Sequence, residues 1–261
     1  MIHNAIPSSL QHLVRKMSSN ASALSPIEQA KRAAALACFK NHIKSGDRIG
    51  VGSGSTVKYL VEHIKTGLES GTLKDIVCVP TSFLTRKWLM DAGIPLTDLE
   101  MTPELDVCID GADEIDVNLT LIKGGGGCLA REKIVQFASK HFYVIADHTK
   151  ESVKLGEHYS KIPIEVLPFA VQPLLRSIAK MEGGETSLRM ATNVCAPALT
   201  DNNNYIIDWT FDKSKTYDWI GVHNRIINLP GVVETGLFFG VVKKAYLAFP
   251  DLTIKELEAK H

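Results

Sequence analysis

The sequence predicts an α/β fold, in which a parallel β-sheet carries helices on both faces, together with a smaller inserted α+β domain. Short apolar runs alternate with stretches of helical periodicity up to about residue 155. Such alternation is typical of parallel sheets that are covered on both faces. A glycine-rich loop joins the first apolar run to the helix that follows it, and after residue 155 the regular alternation stops.

The first strong folding signal is a helix start at Ser25. Proline follows this serine and Glu28 lies three residues after it, which is the pattern of a capped first turn. Apolar residues then recur on one helical face, and we expect Gly46 to end the helix. The later elements are predicted as strands at 49–51, 76–79, 106–110 and 142–146, and as helices directly after the first strand, at 83–92 and at 129–138. In a Rossmann-like sheet of this kind, ligands bind beyond the carboxyl ends of the strands.

The chain is predicted to consist of three parts. Residues 25–155 and 230–261 form the α/β domain, and residues 156–229 form the smaller α+β domain. Residues 1–24 form an N-terminal extension that contains Arg15 and Lys16 but no acidic residue. An organelle transit peptide would be richer in arginine, so we expect a loosely docked extension and a cytoplasmic protein.

Composition narrows the classes of partner. Lysine plus arginine equal aspartate plus glutamate at 29 each, so the chain lacks the basic excess that binding to nucleic acid requires. No run approaches the roughly 18 apolar residues of a membrane span. The five cysteines are widely spaced and the nine histidines show no metal-ligand spacing. We therefore expect free thiols in a reducing compartment and no metal site.

The first candidate site is the glycine loop after the first strand. Glycines let a ligand approach the backbone, and the free N–H groups of a helix start attract anions. The loop indicates a phosphate site, although a tight turn without a ligand explains these residues equally well. It is neither a dinucleotide fingerprint nor a P-loop, because Ser55 replaces the third glycine and no Gly-Lys-Ser/Thr follows. The motif reads Gly50-Val-Gly-Ser-Gly-Ser-Thr56.

The second candidate site is an acidic cluster after the strand at 106–110. Four carboxylates within seven residues can orient sugar hydroxyls, bind a divalent cation or alter each other's proton affinity. A solvated acidic loop is the alternative, but the position at the ligand-binding edge favours a function. The spacing is not that of an EF-hand, which makes metal the weaker option. The motif reads Asp110-Gly-Ala-Asp-Glu-Ile-Asp116.

The third candidate site combines a lysine, four glycines and a helix that carries a glutamate. The lysine and the bare backbone could hold an oxygen with developing negative charge while Glu132 moves a proton. Taken alone, Arg131, Glu132 and Lys133 would be interpreted as a solvated helix face. Four successive glycines, however, carry an entropic cost that is hard to justify structurally. The motif reads Lys123-Gly-Gly-Gly-Gly-Cys-Leu-Ala-Arg-Glu-Lys133.

In this order and spacing, the three motifs resemble the type A ribose-5-phosphate isomerases, and Ser53 is typical of their eukaryotic-type members. The resemblance extends from about Ser25 to Phe238. It implies the interconversion of D-ribose 5-phosphate and D-ribulose 5-phosphate through an enediolate, in the non-oxidative pentose phosphate pathway. It also implies that the enzyme uses neither a metal nor an organic cofactor and forms a homodimer or homotetramer.

The resemblance also implies roles for particular residues. Glu132 would move the proton between C1 and C2, and Lys123 would steady the enediolate oxygens. Asp110 would bind sugar hydroxyls and assist ring opening. A contribution from Lys31 or Arg32 is poorly supported by the alignment of motifs. The complete set of implied substrate-binding residues is Ser53, Gly54, Ser55, Thr56, Asp110, Gly111, Ala112, Asp113, Lys123, Gly124, Gly125, Gly126 and Lys150.

Two other functions are compatible with an α/β fold. A sugar-phosphate sensor would bind without turnover, and it predicts a DNA-binding module or a missing base. A nicotinamide-dependent dehydrogenase predicts a third glycine in the 50–56 loop and an acid that closes the next strand. The sequence has none of these features.

Overall fold

The computed structural model describes residues 24–259. The extension predicted for residues 1–24 therefore lies, except for Leu24, outside the described residues. The helices are α1 (Pro26–His42), α2 (Val57–Glu69), α3 (Phe83–Asp91), α4 (Leu129–Phe137), α5 (Val171–Glu182) and α6 (Trp219–Ile227). The strands are β1 (Arg48–Val51), β2 (Val77–Pro80), β3 (Leu105–Asp110), β4 (Glu114–Ile115), β5 (Leu121–Ile122), β6 (Ser139–Asp147), β7 (Lys161–Val166), β8 (Glu185–Leu188), β9 (Tyr205–Thr210), β10 (Val232–Thr235), β11 (Leu237–Phe238), β12 (Lys244–Ala248) and β13 (Ile254–Glu258).

The predicted cap of the first helix is confirmed. The side chain of Ser25 accepts a hydrogen bond from the backbone N–H of Glu28, and Pro26 occupies the first turn. The helix ends at His42, and Gly46 adopts a φ of +87° in the turn that leads to β1. The small side chains of Ala30 and Ala34 are fully buried, so the helix lies close against the sheet.

The main sheet has six strands in the order β13-β12-β6-β3-β1-β2. All neighbours are parallel except β12 and β13, which pair antiparallel. The antiparallel edge follows from the short turn between these two strands, because a parallel connection needs a long crossover. The sheet is thus predominantly parallel, as the alternating pattern predicts.

Helices cover both faces of this sheet. On one face, Ala34 of α1 and Leu60 of α2 pack with Ile49 of β1 in one buried cluster. On the other face, Val135 of α4 packs with Leu247 of β12 in a second cluster. The predicted three-layer α/β arrangement is confirmed, and it places the ends of β1 and β3 at one common edge.

A second, antiparallel sheet follows in the order β10-β7-β9-β8. Helices α5 and α6 pack against it in a third core that includes Ile178, Trp209 and Ile226. The sequence places the return to the α/β domain at residue 230, but β10 still pairs with β7 up to Thr235. The main sheet resumes only at β12. The division into domains itself stays a prediction.

A small three-stranded sheet, β11-β5-β4, links the two larger sheets. Its pairing brings the segment after β10 against the segment before the four glycines, with Leu237 opposite Ile122. The backbone N–H of Lys123 also donates to the carbonyl of Gly236 at 2.8 Å. Two parts of the chain that are distant in sequence therefore fix the start of the glycine loop.

Candidate active site

A cavity of about 150 Å³ lies at the edge of the main sheet where β1, β3 and β6 end. All three sequence motifs reach it. Two of them follow the parallel strands β1 and β3, whose carboxyl ends share this edge, and the third follows β5 of the small antiparallel sheet. Lys150 approaches from a short 3-10 helix, His148–Lys150, that follows β6. The lining consists of Ser53, Gly54, Ser55, Thr56, Gly111, Ala112, Asp113, Lys123, Gly124, Gly126, Glu132, Ala146 and Lys150.

The loop after β1 supplies backbone and hydroxyl groups to one end of the cavity. Gly54 has a φ of +116°, which favours glycine. A Cβ on Gly52 would lie 2.0 Å from Cγ of Asp110, so this position accepts no side chain. The hydroxyl of Ser53 is shared with Thr81, whose Oγ1 lies 2.8 Å away. This contact holds the loop in place and leaves its backbone facing the cavity.

Three charged side chains form a buried cluster at the other end. Nζ of Lys123 lies 3.0 Å from Oδ2 of Asp110 and 3.4 Å from Oε1 of Glu132. Lys123 also donates to the carbonyl of Gly111 at 2.6 Å. Each of the three side chains is at most 6% exposed. One ammonium group therefore serves two carboxylates away from bulk water.

Asp110 lies behind the cavity wall. Its Oδ1 accepts hydrogen bonds from the backbone N–H groups of Ser53 at 2.8 Å and of Gly111 at 2.7 Å. Through these contacts one carboxylate ties the loop after β1 to the loop after β3. Asp110 thus meets the cavity through Lys123, whereas Asp113 lines it directly.

The two oxygens of Glu132 differ in their surroundings. Oε1 faces Lys123, whereas Oε2 is buried and has no hydrogen-bond partner among residues 24–259. Burial raises the pKa of Glu132 to about 8, a rise that Lys123 opposes and that Asp110 and Asp113 reinforce. Glu132 is thus a carboxyl group with one unused oxygen at the cavity and a proton affinity suited to neutral pH.

The other two members of the buried cluster also have raised pKa values. Burial is the main reason that the pKa of Asp110 lies above its usual range. For Lys123, burial alone lowers the pKa, but the charges of Asp110 and Glu132 more than offset this effect and raise it. Lys123 is therefore an ammonium group at neutral pH.

The glycine loop forms a tight turn beside this cluster. The N–H of Gly127 donates to the carbonyl of Gly124 at 3.0 Å, and both residues have positive φ angles, +83° and +98°. The N–H of Gly125 donates to Oδ2 of Asp113 at 2.7 Å. Gly125 does not line the cavity itself, and a Cβ there would lie 2.7 Å from that carboxylate.

Two carboxylates of the acidic motif are used away from the cavity. Glu114 accepts hydrogen bonds at 3.0 to 3.2 Å from four successive backbone N–H groups, those of residues 156–159. Asp116 accepts from the N–H groups of Asn118 and Thr120, both at 2.9 Å. These two residues order loops, so only half of the acidic motif belongs to the site.

Other charged residues near the motifs also have structural partners. Arg131 donates to the side chain of Asn202 at 2.7 Å and to the carbonyl of Asp201 at 2.6 Å. Lys31 pairs with Glu28 at 2.7 Å, and Arg32 lines a separate cleft. Neither Lys31 nor Arg32 lines the cavity, so the structure does not support the contribution considered for them.

One contact with the glycine loop is not predicted from the sequence. Arg189, directly after β8, donates from Nη1 to the carbonyls of Gly124 at 2.9 Å and Gly125 at 3.1 Å. Arg189 does not line the cavity itself, whereas Ala146, near the end of β6, is a lining residue that the sequence did not indicate. An arginine that follows a strand of the smaller sheet carries no local signal for this contact.

The family model of ribose 5-phosphate isomerase A (phosphoriboisomerase A) matches residues 77–251. A probable ribose 5-phosphate isomerase of Caenorhabditis elegans is 59% identical over 90% of this chain and 94% of the relative. The chain belongs to the ribose 5-phosphate isomerase A family. The ribose-5-phosphate isomerase of Homo sapiens is 43% identical, over 91% of this chain and 76% of the human protein.

Solved structures of ribose 5-phosphate isomerases have the same fold. The enzyme from Plasmodium falciparum superimposes with a TM-score of 0.84 at 37% identity, over 90% of this chain and all of that one. A D-ribose-5-phosphate isomerase in complex with phospho-erythronic acid gives 0.84 at 34% identity, over 89% and 99%. Family membership makes this chain an isomerase of the pentose phosphate pathway and disfavours both the sensor and the dehydrogenase hypotheses.

In the part of this ribose 5-phosphate isomerase A that the structure describes, there is neither a membrane helix nor a metal centre. Between residues 24 and 259, no helix is long and apolar enough to cross a bilayer. Over the same range, no group of three His, Cys, Asp or Glu side chains is arranged to hold a metal ion. All five cysteines are free thiols.

Proposed function

We propose that Glu132 is the base that carries a proton between C2 and C1 as this enzyme interconverts D-ribose 5-phosphate and D-ribulose 5-phosphate. The observation that supports this role most strongly is the buried Oε2 of Glu132, which has no hydrogen-bond partner in residues 24–259 and belongs to a side chain that lines the cavity. An oxygen without a hydrogen-bond donor is free to accept a proton from carbon.

The substrate phosphate would bind at the loop after β1. The backbone of residues 53–56 precedes α2, so its N–H groups and the helix dipole favour an anion. Lys150 lines the same cavity and adds a positive charge. The sugar would then extend past Asp113, whose carboxylate can accept hydrogen bonds from hydroxyl groups, towards Glu132.

The carbonyl end of the open-chain sugar would lie between Lys123 and the glycine loop. Glu132 takes the proton from C2, the electrons of that C–H bond form the C1=C2 double bond, and O1 becomes negatively charged. A proton then passes from O2 to O1, and Glu132 returns its own proton to C1. The products are a C1 hydroxymethyl group and a C2 carbonyl, and the enzyme regains its starting form.

Lys123 would stabilise the charge that appears on the enediolate. Its ammonium group is fixed by Asp110 and by the carbonyl of Gly111, so it needs no rearrangement during the reaction. Groups that are already oriented toward developing charge in a dry site contribute most to electrostatic stabilisation. Asp110 acts in this scheme by holding Lys123, and assistance to ring opening stays a prediction.

Phospho-erythronic acid, the ligand of the related structure, fits the same scheme. Its carboxylate resembles the enediolate in being planar and negatively charged, with two oxygens that share one carbon. We expect it to bind this chain as a mimic of the intermediate, with the carboxylate at Lys123 and the phosphate at residues 53–56.

We also propose that the enzyme acts in the cytoplasm as a homodimer or homotetramer. The five free thiols support a reducing compartment. Exposed aromatic side chains support association, since Phe137 is 86% and Phe169 is 100% exposed. Sedimentation of the purified protein distinguishes the two assemblies from a monomer.

The proposed reaction is tested by measuring the ketose formed from ribose 5-phosphate, with glucose 6-phosphate as the control substrate. We expect turnover of the pentose phosphate alone, and no loss of activity after dialysis against EDTA. Failure to convert ribose 5-phosphate would refute the proposal. Loss of activity on EDTA treatment that added metal restores would contradict the assignment of all proton and charge transfers to protein groups.

A further inference from the structure

The glycine loop must be held from outside. Glycine has more conformational freedom than any other residue, so four in succession do not define the directions of their own N–H groups. The turn from Gly124 to Gly127 is closed by only one internal hydrogen bond, at 3.0 Å. An enzyme that uses these N–H groups on a reacting oxygen needs other contacts to fix them.

Arg189 supplies such contacts from the smaller sheet. One nitrogen of its guanidinium group, Nη1, donates to the carbonyls of both Gly124 and Gly125, at 2.9 and 3.1 Å. The other side of the group is held by Asp208 of β9, with Nε to Oδ2 at 2.9 Å and a contact between Nη2 and Oδ1. The side chains of Arg189 and Asp208 are 18% and 9% exposed. Asp208 therefore fixes the guanidinium group independently of its contacts with the loop.

Because each peptide is planar, fixing the carbonyls of the glycine loop also fixes the N–H groups on the cavity side. Residues 24–259 contain no cis peptide bond, and in a trans peptide the C=O and N–H groups point in opposite directions. In the peptide between Gly124 and Gly125, the carbonyl accepts from Arg189, so the N–H of Gly125 points the other way and donates to Oδ2 of Asp113 at 2.7 Å. The peptide with the Gly125 carbonyl turns the N–H of Gly126 away from Arg189, and Gly126 lines the cavity.

We propose that Arg189 is a positioning residue for the isomerisation: by holding two carbonyls of the glycine loop, it orients Asp113 and the N–H of Gly126 toward the substrate. This inference rests on the proposed function and adds a role for the smaller domain. Arg189 acts on the end of the cavity where the enediolate forms. The phosphate end, at residues 53–56 and Lys150, is built by other segments of the chain and does not depend on it.

The competing explanation is that Arg189 and Asp208 only stabilise the smaller domain. The chain offers a matched control for that explanation. Arg225 forms a similar two-pronged pair with the buried Glu182, with Nε to Oε1 at 2.6 Å and Nη2 to Oε2 at 2.8 Å. This pair also belongs to the smaller domain, but the hydrogen bonds of Arg225 go to Glu182 and not to the glycine loop.

The test compares Arg189→Ala, Arg189→Lys and Arg225→Ala by steady-state kinetics and by inhibition with phospho-erythronic acid. We expect both Arg189 variants to lose at least about 10-fold in kcat with KM within a few-fold, since small misplacements of reacting groups cost up to about 100-fold. Lysine cannot reproduce the planar fork. The affinity for phospho-erythronic acid should fall by the same factor as kcat/KM, whereas Arg225→Ala should leave all three values within twofold.

The inference is overturned if Arg189→Ala keeps kcat within twofold of the wild type, or if Arg225→Ala loses kcat to the same extent. If Arg189→Ala does not fold, Asp208→Asn decides, because it weakens the hold on the guanidinium group without removing it. An unchanged kcat in Asp208→Asn then contradicts the role. These outcomes are separate from the test of the reaction itself, since wild-type turnover of ribose 5-phosphate is measured first.

Discussion

The buried carboxyl group of Glu132 lies among charged neighbours that act on its pKa in opposite directions. Burial raises the pKa to about 8, Lys123 opposes this change, and Asp110 and Asp113 reinforce it. A base must both accept and return a proton, so a pKa near the working pH serves both steps better than the ordinary value of a glutamate. Burial and the charged neighbours of Glu132 thus give it a pKa that suits a base in isomerisation.

This balance predicts the pH dependence of the free enzyme. Glu132 must be ionised to accept a proton, so kcat/KM should rise with pH through an apparent pKa of about 8. Asp110→Asn removes a negative neighbour that raises this pKa, so its profile should rise at lower pH. Steady-state measurements from pH 5.5 to 9.5 test the shift.

Asp106→Asn is the control for the pH profile, because Asp106 lies on the same strand and pairs with Arg48 at the opposite end. It should leave the midpoint of the rise in place. A rise near pH 6 in all three proteins would instead report the substrate phosphate, whose second pKa is about 6. An unshifted profile in Asp110→Asn would contradict the electrostatic coupling.

At the scale of elements, the site depends on loops that follow strand ends. The sequence alone locates these loops, because apolar runs followed by glycine or carboxylate motifs predict both the strand and its end. Strand β1 and the loop at residues 53–56 were predicted in this way, and so was the position of Glu132 in the first turn of α4. A short apolar run that is bounded by glycine and turn residues is typical of a buried strand.

The acidic motif shows where prediction from local pattern stops. Glu114 lies in β4, where successive side chains point to opposite sides. Asp113, directly before this strand, lines the cavity, whereas Glu114 accepts four backbone hydrogen bonds from another loop. The count of charges in the sequence does not reveal which carboxylate faces which way, because that depends on the pairing of β4 with β5.

The contact between Arg189 and the glycine loop cannot be predicted from the sequence for a different reason. It is separated by 65 residues from Gly124, whose carbonyl it contacts. The contact exists only because the four-stranded sheet packs beside the glycine loop. Long-range contacts of this kind are set by tertiary packing, and no motif near Arg189 indicates its partner.

At the scale of the whole molecule, the buried charges of the active site lower the free energy of unfolding. Two carboxylates share one ammonium group, so ionising all three leaves an excess negative charge out of contact with water. The folded protein holds the proton of Glu132 up to about pH 8, whereas the unfolded chain releases it near 4.5. The free energy of unfolding therefore falls as pH rises across this window, and the loss is complete above it.

Glu132→Gln should remove this loss. We expect the variant to be more stable than the wild type at pH 8.5, by about 2 kcal/mol or more, since one pKa unit corresponds to about 1.4 kcal/mol. At pH 4 the difference should nearly vanish, because both states of the wild type then hold most of the proton. Urea unfolding at the two pH values measures it, with Glu69→Gln on the exposed face of α2 as the control. Equal stabilities at pH 8.5 would mean that Glu132 carries no penalty.

The most direct measurement of the central role of Glu132 is hydrogen exchange between substrate and solvent. In D2O, the wild-type enzyme and Glu69→Gln should introduce deuterium at the carbon next to the carbonyl of each sugar phosphate. NMR measures the rate of this incorporation. At saturating ribose 5-phosphate, Glu132→Gln should exchange about 10²–10⁴-fold more slowly, while its affinity for the sugar phosphate stays within a few-fold. A Glu132→Gln enzyme that exchanges at half the wild-type rate would show that another group moves the proton.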